Sequence, residues 1–422
     1  MSKDNKILTE GVLLALLLFF TTFFMRMTGN MVQTTVPLYA QYYLGMNTAE
    51  IGVVSAAFML ASVVTPLLVV TRIGIGKLNA ALFLFGTSFA ITIPLYYFVS
   101  GSIGFYALIV ATSMLSSTVM PLLLTSSQTT QKGTVQRNIG LYTVALSSSL
   151  VFGPFFEAIV AGHYGEVKIV FLFFFPFSAA AALMLLLKYR RYGAGQVTDR
   201  EGSASILGKS GKGGTPGMRH LITSPRFLVP TIGQVSYSLV FAAVLAFGAL
   251  LAERRMNAGL GAVFYLFSAF FATSWGTRVM ITLLPDIRKK VRLLHLSSLL
   301  SLTGLILVFA SHGALLLYTT FAVLGIPHGL QYPVSSMLIA EGVEREDLPA
   351  ANALFFSTGA GAMAITPLAV GFASIYIGLG SSVALLALPV ALLWLLLYKI
   401  AGRSGKSNEG GDGGFGEIIG LK

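Results

Sequence analysis

Apolar runs of about 20 residues, separated by short polar turns, recur twelve times along the chain. A helix rising 1.5 Å per residue needs about 20 residues to cross a ~30 Å hydrocarbon layer, whereas barrel strands would show as alternations of about 10 residues. The pattern therefore predicts helical spans near residues 9–36, 48–70, 78–99, 103–125, 138–161 and 166–188, and again near 227–251, 259–284, 293–311, 314–340, 350–376 and 380–400. Between the two sets lies a polar, Gly- and Ser-rich stretch from Lys188 to Arg226. The fold class that follows is an all-α integral membrane protein with twelve transmembrane helices in two pseudo-symmetric six-helix bundles. Residues 1–188 and 226–400 form the bundles, 189–225 a basic linker, and 401–422 a Gly-rich tail that reads as disordered. Lys3 and Lys6 ahead of the run from Gly11 to Phe24 resemble a signal peptide. The run continues without a small-residue cleavage site, so it reads as a retained first span.

Charge tests this layout independently, because Lys and Arg accumulate on the cytoplasmic side of a membrane. All but five of the 28 Lys and Arg fall in segments that the twelve crossings make cytoplasmic; the exceptions are Lys168, Arg254 and Arg255 outside, and Arg26 and Arg278 within spans. Both termini are then cytoplasmic, and a multi-pass plasma-membrane protein is expected. The net charge of +12 is explained by these loops, so nucleic acid is not an expected partner. A hydrophobic content of 55% and a mean hydropathy of +0.80 exclude a soluble globule of ordinary composition.

Catalysis finds little support. Cysteine is absent, which excludes disulfides, thiol chemistry and thiolate metal sites. Neither a metal-ligand spacing nor a nucleophile triad appears, and no cofactor or enzymatic activity is expected. The stretch Gly202 to Ser210 nearly matches a phosphate-binding loop, but it has one residue too many between its glycines and no apolar strand before it.

Polar side chains inside a membrane are costly, so the faces that gather them are informative. Thr22, Arg26, Asn30 and Gln33 stack on one side of the first span at i, i+4, i+8 and i+11. Ser113, Ser116, Ser117 and Met120 in span 4, Gln234, Tyr237, Ser238 and Phe241 in span 7, and His328, Gln331, Tyr332 and Ser335 in span 10 each follow i, i+3, i+4, i+7. The alternative use of such stripes is hydrogen bonding between helices. Arg26 lies about 22 Å into its helix at 1.5 Å per residue, where its charge costs roughly 2.5–3.5 kcal/mol. Glu157 of span 5, a hydrated cavity or an anionic solute could offset that cost. Arg278, near the end of span 8, could contact solute or form a structural pair. Glu157 is the one carboxylate well inside a span and could carry a coupling proton or sit in a permanent salt bridge; His328 could titrate or simply donate a hydrogen bond.

The halves also echo one another at a separation near 210 residues: Asn47 with Asn257, Asn138 with Asn352, Pro154 with Pro367, and Thr71–Lys77 with Asp286–Arg292. Parallel halves of this kind are a mark of transporters. At this point the chain resembles the major facilitator superfamily over nearly all its length to about residue 400. The 6 + 6 layout with a basic central loop carries the resemblance first. Thr71-Arg72-Ile73-Gly74-Ile75-Gly76-Lys77 is similar to the family's D-R-x-G-R-[KR] loop, with Thr71 in place of Asp, and Asp286 with Arg288 and Lys289 supplies part of the same pattern in the second half. Gly140, Ser149, Gly153, Pro154 and Glu157 stand at the spacings of a glycine and proline motif of proton-driven exporters, with Ser149 and Glu157 replacing glycines.

The resemblance implies that spans 1, 4, 7 and 10 line a central solute pathway, which is where the polar stripes fall. The expected solute contacts are Arg26, Asn30, Gln33, Gln234, Tyr237, Arg278, His328, Gln331 and Tyr332. Glu157 is the expected coupling residue, and Arg72, Gly74, Lys77, Gly153, Pro154 and Asp286 are expected to serve gating. Two intramembrane arginines against one carboxylate favour a small anionic or carboxylate-bearing solute moved by alternating access. Its expected partners are that solute, the bilayer and protons as coupling ion, with the chain a monomer. Proton-driven efflux of lipophilic compounds is the alternative, supported by 31 Phe and 14 Met. A non-transporting receptor or scaffold is the alternative of another class.

Overall fold

The computed structural model describes residues 3–70, 73, 77–129, 135–192, 222–256, 259–283, 290–343 and 348–407. Among them every regular element is a helix: α1 (Lys3–Leu44), α2 (Thr48–Leu68), α3 (Leu78–Phe98), α4 (Ser102–Thr129), α5 (Val135–Tyr164), α6 (Val167–Tyr192), α7 (Pro225–Met256), α8 (Leu260–Leu283), α9 (Lys290–Ala310), α10 (Ala314–Gly342), α11 (Leu348–Ile377), α12 (Leu379–Leu385) and α13 (Ala387–Ser407). Twelve spans are long and apolar enough to cross a membrane, the last formed by α12 and α13 together over Leu379–Gly402. Helices are the outcome because hydrocarbon offers backbone N–H and C=O groups no partner but each other.

Helix ends follow local chemistry. Gly45 takes a positive φ of 63° and the N–H of Met46 reaches back to the Ala40 carbonyl at 3.0 Å, a left-handed stop that glycine permits. Two residues later Asn47 opens α2. Its Oδ1 accepts from the N–H groups of Ala49 (2.9 Å) and Glu50 (3.0 Å), while Glu50 Oε2 accepts from the Asn47 N–H at 2.8 Å. This reciprocal box satisfies donors that a helix start leaves unpaired.

Two of the boundaries that differ from the sequence expectation have a local cause. The first span does not end at 36: α1 runs through Pro37 to Leu44. Proline removes one helical bond, here to the Gln33 carbonyl, but membrane helices tolerate this where neighbouring groups take up the freed oxygen. The last helix passes 400 and continues to Ser407. Between α12 and α13 the chain turns at Leu386, whose N–H bonds to the Val383 carbonyl at 3.2 Å; Pro389, three residues on, has no N–H for Leu385. Most of the linker (193–221), the tail (408–422), the Gly202–Ser210 stretch and the loop residues Arg72, Gly74 and Asp286 lie outside the described residues.

The helices sort into two compact units, one comprising residues 1–46, 57–203 and 259–268, the other 47–56, 204–258 and 269–422. In the first, α1 packs on α4, α5 and α6, and α3 packs on α4 and α6. Its aromatic centre stacks Tyr96 on Phe171 (4.6 Å) and Tyr39 on Phe105 (5.3 Å), and the Tyr39 hydroxyl donates to the Val99 carbonyl at 2.5 Å. In the second, α7 is the axis, touching α9, α10, α11 and α13. Its core stretch is 83% buried, against 22–56% for the other spans. Val229 and Ile232 of α7 join Val291, Leu294, Leu330, Val334 and Leu397 in one apolar cluster.

Candidate functional site

The polar residues gather in two clusters, one in each unit. In the first unit the α1 stripe faces inward: Thr22 and Asn30 are buried and Arg26 and Gln33 half-buried. The Asn30 Nδ2 has no hydrogen-bond partner among the described residues. One turn further on lies Glu157 of α5, which is 0% exposed. Thr34 Oγ1 stands 2.8 Å from both carboxylate oxygens, and Thr35 Oγ1 donates to Oε1.

This arrangement differs from the pairing of Glu157 with Arg26 that sequence reasoning allows. The hydrogen-bond partners of the carboxylate are the two threonines and not the guanidinium. Depth explains the difference. Thr34 is eight residues beyond Arg26, about 12 Å along a helix axis, so a side chain on α5 that meets one is remote from the other. Sequence reasoning missed Thr34 and Thr35, although Thr22, Arg26, Asn30 and Thr34 form an unbroken i, i+4 series. Gly153, expected as a gating residue, is buried against α1, where an added Cβ would lie 3.3 Å from Met27 Cγ and 3.4 Å from the Met27 carbonyl. Its missing side chain, beside Pro154, lets α5 come close enough for Glu157 to reach the threonines. Lys77, by contrast, is exposed at the start of α3.

The serines of α4 bond to backbone. Ser113 donates to the Phe58 carbonyl of α2 at 2.5 Å, and Ser116 and Ser117 donate within their own helix at 3.2 Å. The Ser113 bond is the interhelical use of such a stripe.

In the second unit, glycines build the site. Gly325 and Gly329 of α10 lie against α8: a Cβ on Gly329 would come within 2.5 Å of the Ser274 carbonyl and 2.7 Å of Thr277 Cβ. This close approach sets His328, at the middle of α10, against aromatic rings of α7 and α8. Its ring centroid is 4.3 Å from Phe241 of α7, and 5.3 Å from Phe270 and 5.8 Å from Phe271 of α8. His328 Nδ1 meets the Tyr237 hydroxyl at 2.6 Å, while Arg278 Nη2 lies 3.5 Å from both His328 Nε2 and the His328 carbonyl. A guanidinium only donates, so the ring nitrogen and the carbonyl of His328 are the acceptors within its reach.

The remaining expected contacts turn elsewhere. Gln331 is 1% exposed and donates to Ser335 Oγ at 3.1 Å, which in turn donates to the Pro230 carbonyl of α7 at 3.1 Å. Gln234 reaches Ser238 at 3.4 Å beside Gly359 of α11. Tyr332 is 44% exposed and packs on Phe356 and Phe355 of α11.

Twelve spans and inward polar stripes are what a solute carrier requires, and the family model of the Major Facilitator Superfamily matches residues 18–313. The chain belongs to the major facilitator superfamily. This facilitator is similar in fold to the nucleoside transporter NupG, with a TM-score of 0.74 and 14% identity, covering 92% of this chain and 98% of that one. It is also similar to a bacterial homologue of the human lysosomal transporter Spinster in an inward-facing, unoccupied conformation (TM-score 0.71, 14% identity, 95% and 98% covered). A POT family transporter in complex with 5-aminolevulinic acid is comparably close (0.72, 12%, 92% and 96%). A comparison with curated proteins finds no match.

Proposed function

We propose that this facilitator moves a small organic anion, one bearing a carboxylate or a group of like shape, across the plasma membrane by alternating access, with both termini cytoplasmic. The observation that carries this reading is the direction of Arg278. Although it stands near the end of α8, its guanidinium turns toward His328 at the midpoint of α10, not toward the nearby aqueous end. A planar guanidinium matches a carboxylate with two parallel hydrogen bonds. The aromatic faces of Phe241, Phe270 and Phe271 exclude water, which strengthens each of these contacts. Arg26 with Asn30 offers chemistry of the same sign in the first unit.

The test is thermal unfolding of the purified protein against small carboxylates, organic phosphates, neutral sugars and lipophilic cations. A ligand at 100 times its Kd adds about 2.7 kcal/mol of stability. Stabilisation by anions that vanishes in Arg278→Ala is the expected result; anion stabilisation unchanged in that variant would overturn the reading. The aromatic wall around His328 favours one other reading, proton-driven efflux of lipophilic compounds. That reading requires efflux of uncharged dyes from proteoliposomes to depend on a proton gradient and to survive Arg278→Ala.

A further inference from the structure

The seam where α9 packs on α13 holds a donor that the described residues do not satisfy. His295, half-buried in the second turn of α9, faces α13, and the Trp394 indole N–H donates to its Nδ1 at 3.1 Å. An indole N–H can only donate, so Nδ1 is the acceptor and the ring carries its proton on Nε2. That second N–H is shut away from solvent and has no hydrogen-bond partner among the described residues. Hydrocarbon offers it none either.

The groups around the imidazole are layered. Arg292 of α9 is exposed three residues before His295, about 4.5 Å nearer the helix start, and Lys399 of α13 is exposed five residues past Trp394, about 7.5 Å further toward the same end. At the level of the imidazole the Tyr398 ring stands edge-on, its centroid 5.8 Å away, and is 59% exposed. Deeper along the seam, Leu299 of α9 and Leu388 and Leu392 of α13 are exposed. The two helices carry cations at this end, Lys290, Arg292 and Lys399 among them, and no acid. The nearest carboxylate of α10, Glu341, is engaged by Lys290 at 2.7 Å.

We infer that the seam between α9 and α13 binds one anionic glycerophospholipid of the leaflet in which α9 begins, the cytoplasmic one in the proposed orientation. Such a lipid is layered in the same order: a negative headgroup for Arg292 and Lys399, phosphate and ester oxygens beneath it to accept from His295 Nε2, and acyl chains to lie along the leucines. A turn of the exposed Tyr398 ring admits the acceptor. Basic pockets between membrane helices suit anionic headgroups, whereas a soluble anion brings no chain to cover Leu299, Leu388 and Leu392. The bound lipid ties α9 to α13 and makes the second unit sensitive to the anionic content of its leaflet. The inference goes beyond the anion reading of the solute and does not depend on it.

Trp394 reports on the site once Trp275, the other tryptophan of the chain, is replaced by Phe. The full-length Trp275→Phe protein is reconstituted without solute in phosphatidylcholine vesicles. Quenching of its emission is followed as a rising fraction of the lipid is replaced by phosphatidylglycerol or phosphatidylcholine brominated on the acyl chain. Brominated phosphatidylglycerol is expected to quench at about fivefold lower fraction, the factor that one basic side chain near an anionic surface supplies, and to saturate. Arg292→Gln with Lys399→Gln should bring the two lipids together. His295→Phe, which keeps a ring in place, should remove the saturating phase and leave the gradual quenching that any surrounding lipid gives. Equal quenching by the two lipids in the Trp275→Phe protein, or a saturating phase unchanged by His295→Phe, overturns the site. Should His295→Phe fail to fold, the double glutamine variant decides, and a preference for phosphatidylglycerol that survives it overturns the inference. Because no solute is present, failure here leaves the anion reading untouched.

Discussion

The two polar clusters are chemical opposites. Around Glu157 the groups are almost all acceptors, sharing two hydroxyl protons. Around His328 a guanidinium that can only donate and a phenol hydroxyl stand on opposite nitrogens of one imidazole. Buried polar groups are stable when donors and acceptors balance. The first cluster is therefore rich in acceptors, while the second brings a fixed donor to an imidazole.

The comparison extends to the glycines that let each cluster form, and the largest expected effect lies there. Gly329→Val would place a side chain against the Ser274 carbonyl and Thr277, atoms with no room to yield. A loss of about 3 kcal/mol or more is expected, read as a fall in Tm with the anion response gone. Arg278→Ala should come next: removing a charged hydrogen-bonding partner costs roughly 1.5–3 kcal/mol, or about 10- to 150-fold in anion affinity. Arg278→Lys should recover only part, since an ammonium lacks the two-pronged geometry. Equal affinity in the Ala and Lys variants would remove the guanidinium from the comparison. Tyr237→Phe, which deletes one neutral hydrogen bond, should weaken anion binding about fivefold, near 1 kcal/mol. Smallest is Gly153→Ala in the first unit. Its Cβ would meet Met27 Cγ at 3.3 Å and the Met27 carbonyl at 3.4 Å, contacts that a movement of a few tenths of an ångström relieves, so a shift under about 1 kcal/mol is expected in unfolding, in contrast to Gly329.

Much of the architecture was legible because a bilayer leaves few options. Run length and charge placed the crossings, and Asn47 was readable as the opening of a helix. The continuation through Pro37 was not, since local propensity says stop while neighbouring helices allow the chain to go on. The sites were legible only as faces. A stripe at i, i+3, i+4, i+7 is wide enough to confront several neighbours, and α10 divides accordingly: His328 meets both α7 and α8, Gln331 meets α7 and Tyr332 meets α11. The approach of α8 that separates these roles depends on Gly325 and Gly329 finding the right backbone, which no single helix encodes. Thr34 was visible in the spacing of α1; that it would meet Glu157 was a matter of depth between two helices.

The turn between α1 and α2 is three residues long, one held in a left-handed stop and another locked in a reciprocal cap. Each helix end is therefore closed by its own residues, α1 at Gly45 and α2 at Asn47, and two glycines inserted after Met46 should leave both closures intact.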